Sequence, residues 1–308
     1  MIHKKQILNQ DNLERKYFFH NGRTAFFHSM KLLGLNKDKK ILLPNYIGIN
    51  KKEGSGVLDP IQKVKAGFEF YKLNSDLSVN HNDFEKKIKN KNVAAVLVIH
   101  YFGFCQNDMD KIVRICKTYG KYLIEDCAHA FNSYNGNTKL GSYGDCSFFS
   151  IHKFLAVNDG GFLLINNSNI VTNLKDEIDH KTLLILNKSK INEISKKRRN
   201  NFSYLLRIIN KMPGTYPFYR ELPKGIVPLN FPIIIKNKNR DDVYFKLLEQ
   251  HIETVSLYHT LIPELNKLGN SMSFELSRKI LNLPIHENIS KKDLDLMVLK
   301  LNEVLSGD

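Results

Sequence analysis

Apolar and polar runs alternate along the first half of the chain as strands and helices alternate in an α/β protein. The clearest strand covers residues 93–99, a continuous apolar run typical of parallel sheets that are covered on both faces. Helical spacing of apolar positions follows over residues 109–119. These short strands and helices predict a doubly wound α/β domain over roughly residues 20–180. The other predicted strands are residues 41–43, 68–73, 122–124, 146–150 and 162–165.

The pattern changes after residue 166, where a stretch rich in Asn, Lys and Ser predicts a helical or loosely structured surface connection up to residue 200. The remaining chain predicts a second, smaller α/β unit that ends in an amphipathic helix capped by Ser290. We therefore assign residues 15–200 to a large domain and residues 201–308 to a small C-terminal domain, on which residues 1–14 are candidates for packing. The elements predicted in the second unit are helices at 201–209, 241–251 and 291–305, strands at 231–235 and 280–283, and a break at 212–217.

Composition narrows the class of protein. The chain has 308 residues, of which 42% are hydrophobic and 10% aromatic, enough to bury a large core. No apolar stretch approaches the roughly 18 residues of a membrane span, and the polar N-terminus lacks the apolar segment of a secretory signal. The four cysteines form no CxxC pair and sit within apolar patterns. We expect a cytoplasmic protein with reduced thiols and no membrane partner.

Charge adds one constraint on the partners. Lys and Arg number 46 against 31 Asp and Glu, a formal net charge of +15. The excess is mostly lysine and is spread along the chain, whereas a nucleic-acid groove more often clusters arginines with aromatic residues. We therefore expect no nucleic-acid partner. The charge suits an acidic substrate such as a nucleotide sugar, or reflects only a solvated surface.

Polar residues follow two predicted strands at their carboxyl ends, where open α/β sheets bind ligands. Glu125, Asp126 and His129 come after the strand at 122–124. Carboxylates there are costly unless they have a partner. Either Asp126 faces a buried cation such as a pyridinium nitrogen, with His129 beside the same ring, or the two carboxylates cap a following helix.

Lys153 follows the apolar strand at 146–150. Desolvation would lower the pKa of its amine and prepare it for imine chemistry. The alternative is a lysine that extends to solvent from a strand end.

A third cluster, residues 20–24, opens a helix with Asn, Gly and Thr. It is either a phosphate cradle or an ordinary capped helix start.

The order and spacing of these segments resemble the DegT/DnrJ/EryC1/StrS family of sugar aminotransferases, which depend on pyridoxal 5′-phosphate (PLP). The run of EDCAHA, GSYGD and a lysine followed by a glycine pair is specific. The matching segments are NGRTA at 21–25, LPNY at 43–46, HYFG at 100–103, IEDCAHA at 124–130, GSYGD at 141–145, Lys153 to Gly161, and LPIH at 283–286.

The resemblance implies a fold and a set of site residues. The fold is fold-type I, with a large, mostly parallel sheet domain and a smaller C-terminal domain. Lys153 is implied to carry PLP as a Schiff base, Asp126 to pair with the ring nitrogen and His129 to lie near the phenolic oxygen. No metal is expected. The implied phosphate contacts come from Gly22, Arg23 and Thr24.

The implied activity is transfer of an amino group from a donor such as glutamate to a nucleotide-linked keto-sugar, for cell-surface polysaccharide or amino-sugar biosynthesis. Members of the family are usually homodimers with active sites at the subunit interface. Two alternatives remain open. One is a PLP-dependent sugar dehydratase, in which the family carries His in place of the lysine. The other is a catalytically degenerate PLP-binding protein.

The chain departs from the family pattern in three places. The serine commonly found five residues before the lysine is absent, so Ser147 or Ser150 would have to contact the phosphate instead. Gly48 occupies the position where an aromatic side chain often stacks on the cofactor ring, and Tyr46 is the candidate to replace it. The family segment "G.N.RM", which reaches into the neighbouring subunit, is not recognisable between residues 166 and 199.

Overall fold

A computed structural model describes residues 15–269 and 271–307. Residues 1–14, proposed above to pack on the second domain, lie outside the described part. Up to residue 165 the elements are β1 (Lys16–Phe19), α1 (Gly22–Leu32), β2 (Lys40–Pro44), α2 (Leu58–Val64), β3 (Gly67–Tyr71), α3 (His81–Ile88), β4 (Val93–Ile99), α4 (Met109–Thr118), β5 (Tyr122–Asp126), β6 (Tyr134–Asn135), β7 (Thr138–Lys139), β8 (Cys146–Ser150) and β9 (Gly161–Ile165). The later elements are α5 (His180–Lys188), α6 (Ile191–Ile209), β10 (Thr215–Pro217), β11 (Asn230–Ile235), α7 (Arg240–Glu249), α8 (Ser271–Lys279), β12 (Ile280–Pro284) and α9 (Lys291–Ser306).

The main sheet has seven strands in the order β1-β9-β8-β5-β4-β2-β3. Strands β3, β2, β4, β5 and β8 run parallel, whereas β9 is antiparallel to both β8 and β1. This confirms the predicted α/β fold with a mostly parallel sheet. Ile99 pairs with Asp126, and Asp126 pairs with Phe148, so the carboxyl ends of β4, β5 and β8 are level with one another.

Burial explains why the strands could be recognised in the sequence. Nearly all of β4 and all of β8 and β9 are buried, as expected for strands with helices on both faces. Helix α1 packs on β8 and β9 through its apolar stripe, and its Phe26 stacks on Phe148 with 4.7 Å between ring centroids. This contact presses the N-terminus of α1 against the carboxyl end of β8.

The second part of the chain forms a separate antiparallel sheet in the order β10-β11-β12, with α6, α7 and α9 around it. Helix α9 begins with a reciprocal capping box between Ser290 and Asp293, which confirms the predicted cap. Strand β10 occupies part of the predicted break at 212–217. Helix α6 runs through residue 200, so the domain boundary proposed there falls within a helix, and the division into two domains stays a prediction. Among the described residues, no helix combines the length and apolarity needed to cross a bilayer.

Candidate functional site

The chemistry-bearing side chains meet at the carboxyl edge of the main sheet, because β4, β5 and β8 are adjacent and parallel. The loop after β4 carries His100 and Phe102, the loop after β5 carries His129, and the loop after β8 carries Lys153. The N-terminus of α1 lies against the end of β8. The cluster that the sequence predicted from separate segments is therefore assembled at one edge.

Lys153 turns its amine inward. Its Nζ lies 3.1 Å from Nε2 of His129, so the alternative of a lysine that extends to solvent is wrong. Burial lowers the pKa of the Lys153 amine, and the nearby Asp126 carboxylate opposes this shift. A buried amine with a lowered pKa has a larger neutral, nucleophilic fraction than an exposed lysine at the same pH.

His129 is held in one tautomer. Its Nδ1 accepts a hydrogen bond from the backbone N–H of Phe102 at 3.3 Å. A neutral imidazole that accepts at Nδ1 carries its proton on Nε2, the nitrogen that faces Lys153. Burial lowers the pKa of His129 well below its ordinary value, and the Lys153 ammonium lowers it further. His129 therefore acts as a neutral donor through Nε2–H.

Asp126 ends β5 and is 8% exposed. Its Oδ1 accepts a hydrogen bond from the N–H of Ala128, and burial raises its pKa while the Lys153 cation lowers it. The residues that follow are turns rather than a helix, so the alternative that Glu125 and Asp126 cap a helix is wrong. Asp126 is thus a buried carboxylate near Lys153, and its pairing with a ring nitrogen stays a prediction.

Glu125 has a different task from its neighbour. Its two carboxylate oxygens accept hydrogen bonds from the N–H groups of Gly141, Tyr143 and Gly144, at 3.0, 2.7 and 2.6 Å. His100 adds a fourth partner, with its Nε2 2.9 Å from Glu125 Oε2. His100, Glu125 and Cys127 place candidate ligand atoms within 4.8 Å of one another, yet these hydrogen bonds account for the Glu125 carboxylate without a metal. Glu125 ties the GSYGD turn to the sheet.

The N-terminus of α1 is capped by the side chain of Asn21. Asn21 caps it by accepting the N–H of Thr24 at 2.9 Å and its hydroxyl at 3.1 Å, which leaves the preceding N–H groups of Gly22 and Arg23 directed out of the helix end. A Cβ on Gly161 would lie 2.4 Å from Gly22 N, so the glycine at the start of β9 lets this helix end approach the sheet. The guanidinium of Arg23 binds the Glu53 carbonyl. The Asn21 cap also fits an ordinary capped helix start, so the phosphate cradle at this helix end stays a prediction.

The two candidate serines are separated by the pleat of β8. Residues 147 and 150 are three apart on the strand, so their side chains point to opposite faces. Ser150 lies beside Gly22, with 3.6 Å from its Cβ to an added Cβ at that glycine. Ser147 instead donates to the Gly141 carbonyl at 2.7 Å. The structure brings Ser150, and not Ser147, to the helix cradle.

Tyr46 is fully buried and packs on Tyr101 and Tyr258. The tyrosine that contacts His129 is Tyr258, whose ring centroid lies 6.0 Å from the imidazole. Tyr258 belongs to the second part of the chain, and the sequence gave no signal for it. The structure thus places the Tyr258 ring beside His129, while stacking of Tyr46 on a cofactor ring stays a prediction.

A cavity of about 300 Å³ opens beside Lys153. One wall is apolar and comes from the second part of the chain, while Arg198, Asn230 and His286 add polar groups. Arg198 is buried and paired with Glu287 at 3.2 Å, so its charge is already balanced. The apolar wall consists of Leu229, Val255, Leu257, Pro284 and Ile285.

Together these groups fit the cofactor implied by the resemblance. An amine with a lowered pKa can bind an aldehyde, a buried carboxylate can face a ring nitrogen, and a free helix N-terminus can hold a phosphate. The fit rests on where these groups lie. Lys153, Asp126 and His129 are close together, and the N-terminus of α1 lies at the same carboxyl edge of the main sheet.

Comparison with known proteins agrees with this arrangement. Residues 19–180 match the model of the DegT/DnrJ/EryC1/StrS aminotransferase family. GDP-perosamine synthase of Vibrio cholerae is 29% identical over 156 residues, which is 49% of this chain and 40% of that protein. The dTDP-4-amino-4,6-dideoxy-D-glucose transaminase of Shigella dysenteriae is 24% identical over 248 residues, covering 68% of this chain and 66% of that protein. The chain spans less than half the length of the first curated relatives it matches.

Solved structures share the fold over nearly the whole chain. The aminotransferase TlmJ from Streptoalloteichus hindustanus superposes with a TM-score of 0.77 at 19% identity, covering 95% of this chain and 86% of that one. The sugar aminotransferase Spr1654 from Streptococcus pneumoniae, described as putative, in its PLP form gives a TM-score of 0.79 at 13% identity, covering 95% and 87%. At these identities the similarity establishes the fold alone.

Proposed function

The chain belongs to the DegT/DnrJ/EryC1/StrS aminotransferase family, and from this we propose that it is a PLP-dependent transaminase. It would move an amino group from an amino acid such as glutamate to a nucleotide-linked keto-sugar. The observation that carries the proposal is the inward amine of Lys153, 3.1 Å from His129 and close to the buried Asp126 carboxylate.

Each group that would hold the cofactor has a role of its own. Lys153 would bind it covalently through Nζ, Asp126 would face the ring nitrogen, and His129 would donate from Nε2 toward the ring. The Gly22 and Arg23 N–H groups, with Ser150, would hold the phosphate. When bound, PLP supplies an electron sink that stabilises negative charge at the α-carbon of the donor.

The protein's own contribution is to position groups and to handle protons. The His129 imidazole positions the Lys153 amine, because its Nε2 lies 3.1 Å from Nζ and its tautomer is held by the Phe102 N–H. Because burial lowers the pKa of Lys153, its amine is more readily free to accept a proton from the donor's α-carbon than the amine of an exposed lysine, and it can release that proton again.

The cavity beside Lys153 supports a sugar as the acceptor. Its wall of apolar side chains faces a few polar groups, and the Arg198 charge is balanced by Glu287, so the cavity favours a largely uncharged ligand portion. The relatives named above act on nucleotide-linked amino sugars by their names. The net charge of +15 suits the diphosphate of such a substrate. A place in cell-surface polysaccharide or amino-sugar biosynthesis follows from the same proposal.

The sugar dehydratase alternative is less favoured by the side-chain positions. It requires a histidine in the place of the lysine, yet His152 is exposed and Lys153 is the residue that contacts His129.

A homodimer and a cytoplasmic location also belong to the proposal. The four cysteines support the location, since all are free thiols, three of them fully buried.

The test is a half-reaction. Protein loaded with PLP is mixed with glutamate, and both the visible absorbance of the bound cofactor and the 2-oxoglutarate formed are followed. We expect bleaching with one equivalent of 2-oxoglutarate per site, and recovery of the absorbance when a suitable nucleotide keto-sugar is added. Bound cofactor that responds to no amino donor would favour the dehydratase or the degenerate protein.

A further inference from the structure

Tyr258 reaches the site from a loop between α7 and α8. The loop is pinned to the segment after β2 by two backbone hydrogen bonds, from Ile49 N to the Thr260 carbonyl and from Ile262 N to the Ile47 carbonyl, both 3.0 Å. Gly48 and Leu261 form a β-bridge between the same two segments. The backbone that directly follows Tyr258 is thus fixed against residues 47–49.

Gly48 is small because the Tyr258 ring lies where a side chain at position 48 would begin. A Cβ at Gly48 would be 3.1 Å from Cδ1 of Tyr258 and 3.6 Å from its Cα. Gly48 does not have a positive φ, so its conformation does not demand glycine. The Tyr258 ring can therefore pack here only because position 48 has no side chain.

The Tyr258 ring is directed at the reactive cluster. Its ring centroid lies 4.9, 5.6 and 6.0 Å from those of Tyr46, Phe102 and His129. Burial raises the pKa of the Tyr258 phenol, and the negative charge of Asp126 raises it further. Val255 and Leu257, from the same loop, line the cavity that contains Lys153. Tyr258 has φ +60°, a left-handed conformation that is uncommon for a residue with a side chain.

We propose that Tyr258 is a cofactor-binding residue, whose aromatic ring forms a wall of the PLP-ring site in place of a side chain at position 48. This inference rests on the proposed function. Because Tyr258 comes from the second part of the chain, docking of its loop onto residues 47–49 and binding of PLP would stabilise each other.

The experiment measures the dissociation constant of PLP by equilibrium dialysis for the wild type and for variants whose thermal unfolding has been recorded. Tyr258→Phe keeps the ring and should bind PLP within about twofold of the wild type. Tyr258→Leu fills much of the space without a ring and should weaken binding by roughly tenfold, the size of an aromatic contact. Tyr122→Leu, at the opposite end of β5, is the matched control and should leave the constant unchanged.

A double variant tests the packing argument. Tyr258→Ala should bind PLP at least as weakly as Tyr258→Leu, and adding Gly48→Phe should recover most of the loss, since the new ring enters the vacated space. The inference would be overturned if Tyr258→Phe and Tyr258→Leu bound PLP equally well. It would also be overturned if Tyr258→Ala bound PLP more tightly than the wild type, because the ring would then have been occupying the cofactor's place. A wild type that does not bind PLP would instead overturn the proposed function.

Discussion

Nε2 of His129 lies 3.1 Å from Nζ of Lys153, while Nδ1 of the same ring accepts the Phe102 N–H. One imidazole therefore connects the loop after β4 to the reactive amine, and its orientation is fixed on both sides. The arrangement requires a hydrogen-bond donor at the Nε2 position more than it requires an imidazole.

A substitution can separate these two properties. His129→Gln supplies an amide N–H near the Nε2 position and should retain PLP within a few-fold of the wild type, whereas His129→Ala should lose roughly tenfold or more, the value of about one hydrogen bond. PLP affinity measured by dialysis distinguishes them. Equal losses for the two variants would mean that the donor at this position does not matter.

Asp126→Asn removes a charge and keeps the side-chain volume. The carboxylate is buried beside Lys153, so its charge should stabilise the protonated ring nitrogen. We expect PLP to remain bound and the rate of the glutamate half-reaction to fall on the order of 10²-fold, as for loss of one electrostatic contact in a buried site. Stopped-flow absorbance measures this rate, and a rate close to the wild type would contradict the role of Asp126.

Glu125→Gln tests the hydrogen bonds that tie the GSYGD turn at residues 141–145 to the sheet. The amide NH₂ of the variant would face backbone N–H groups that now donate to a carboxylate, leaving at least one buried donor unpaired. We expect the free energy of unfolding to fall by about 2–4 kcal/mol. Urea denaturation at pH 7 checks this, with the exposed Glu193→Gln as the control, for which no comparable loss is expected.

Stability should decline in mild acid because of buried neutral histidines. Burial, with the Arg240 cation adding to it, lowers the pKa of His259 to about 3, below the roughly 6.5 of an unfolded chain. Between these values the unfolded state binds a proton that the folded state does not, so stability is lost as pH falls below about 6.5.

His259→Phe should therefore reduce the loss of unfolding free energy between pH 7 and pH 5 by about 1–2 kcal/mol. Urea denaturation at the two pH values measures it. His20→Gln changes a histidine whose side chain is 63% exposed and serves as the control. An unchanged pH dependence in His259→Phe would show that this residue does not contribute to it.

The sequence predicted those features that depend on local pattern. Continuous apolar runs predicted the bounds of β4 and β8. The family resemblance implied that Lys153 and Asp126 would lie in one site. Helix α6 begins ten residues before its predicted start, because its inward positions there include Ser195 and Arg198, which are buried but polar, so no apolar periodicity marks them.

The missed features depend on contacts between distant segments. Tyr258 meets Gly48 only because two loops about 210 residues apart form a bridge, and nothing in either segment encodes this pairing locally. Glu125 binds a turn that lies 16 to 19 residues further along the chain, which resembles an ordinary strand-end carboxylate when only the sequence is considered.

The most direct test of the account is to identify the residue that binds PLP. The protein is incubated with PLP, reduced with borohydride, digested, and analysed by mass spectrometry, with Lys153→Ala treated in parallel. The account predicts the phosphopyridoxyl label on the peptide that contains Lys153 and a loss of stoichiometric labelling in the variant. Labelling distributed over surface lysines, or equal labelling of the variant, would contradict it.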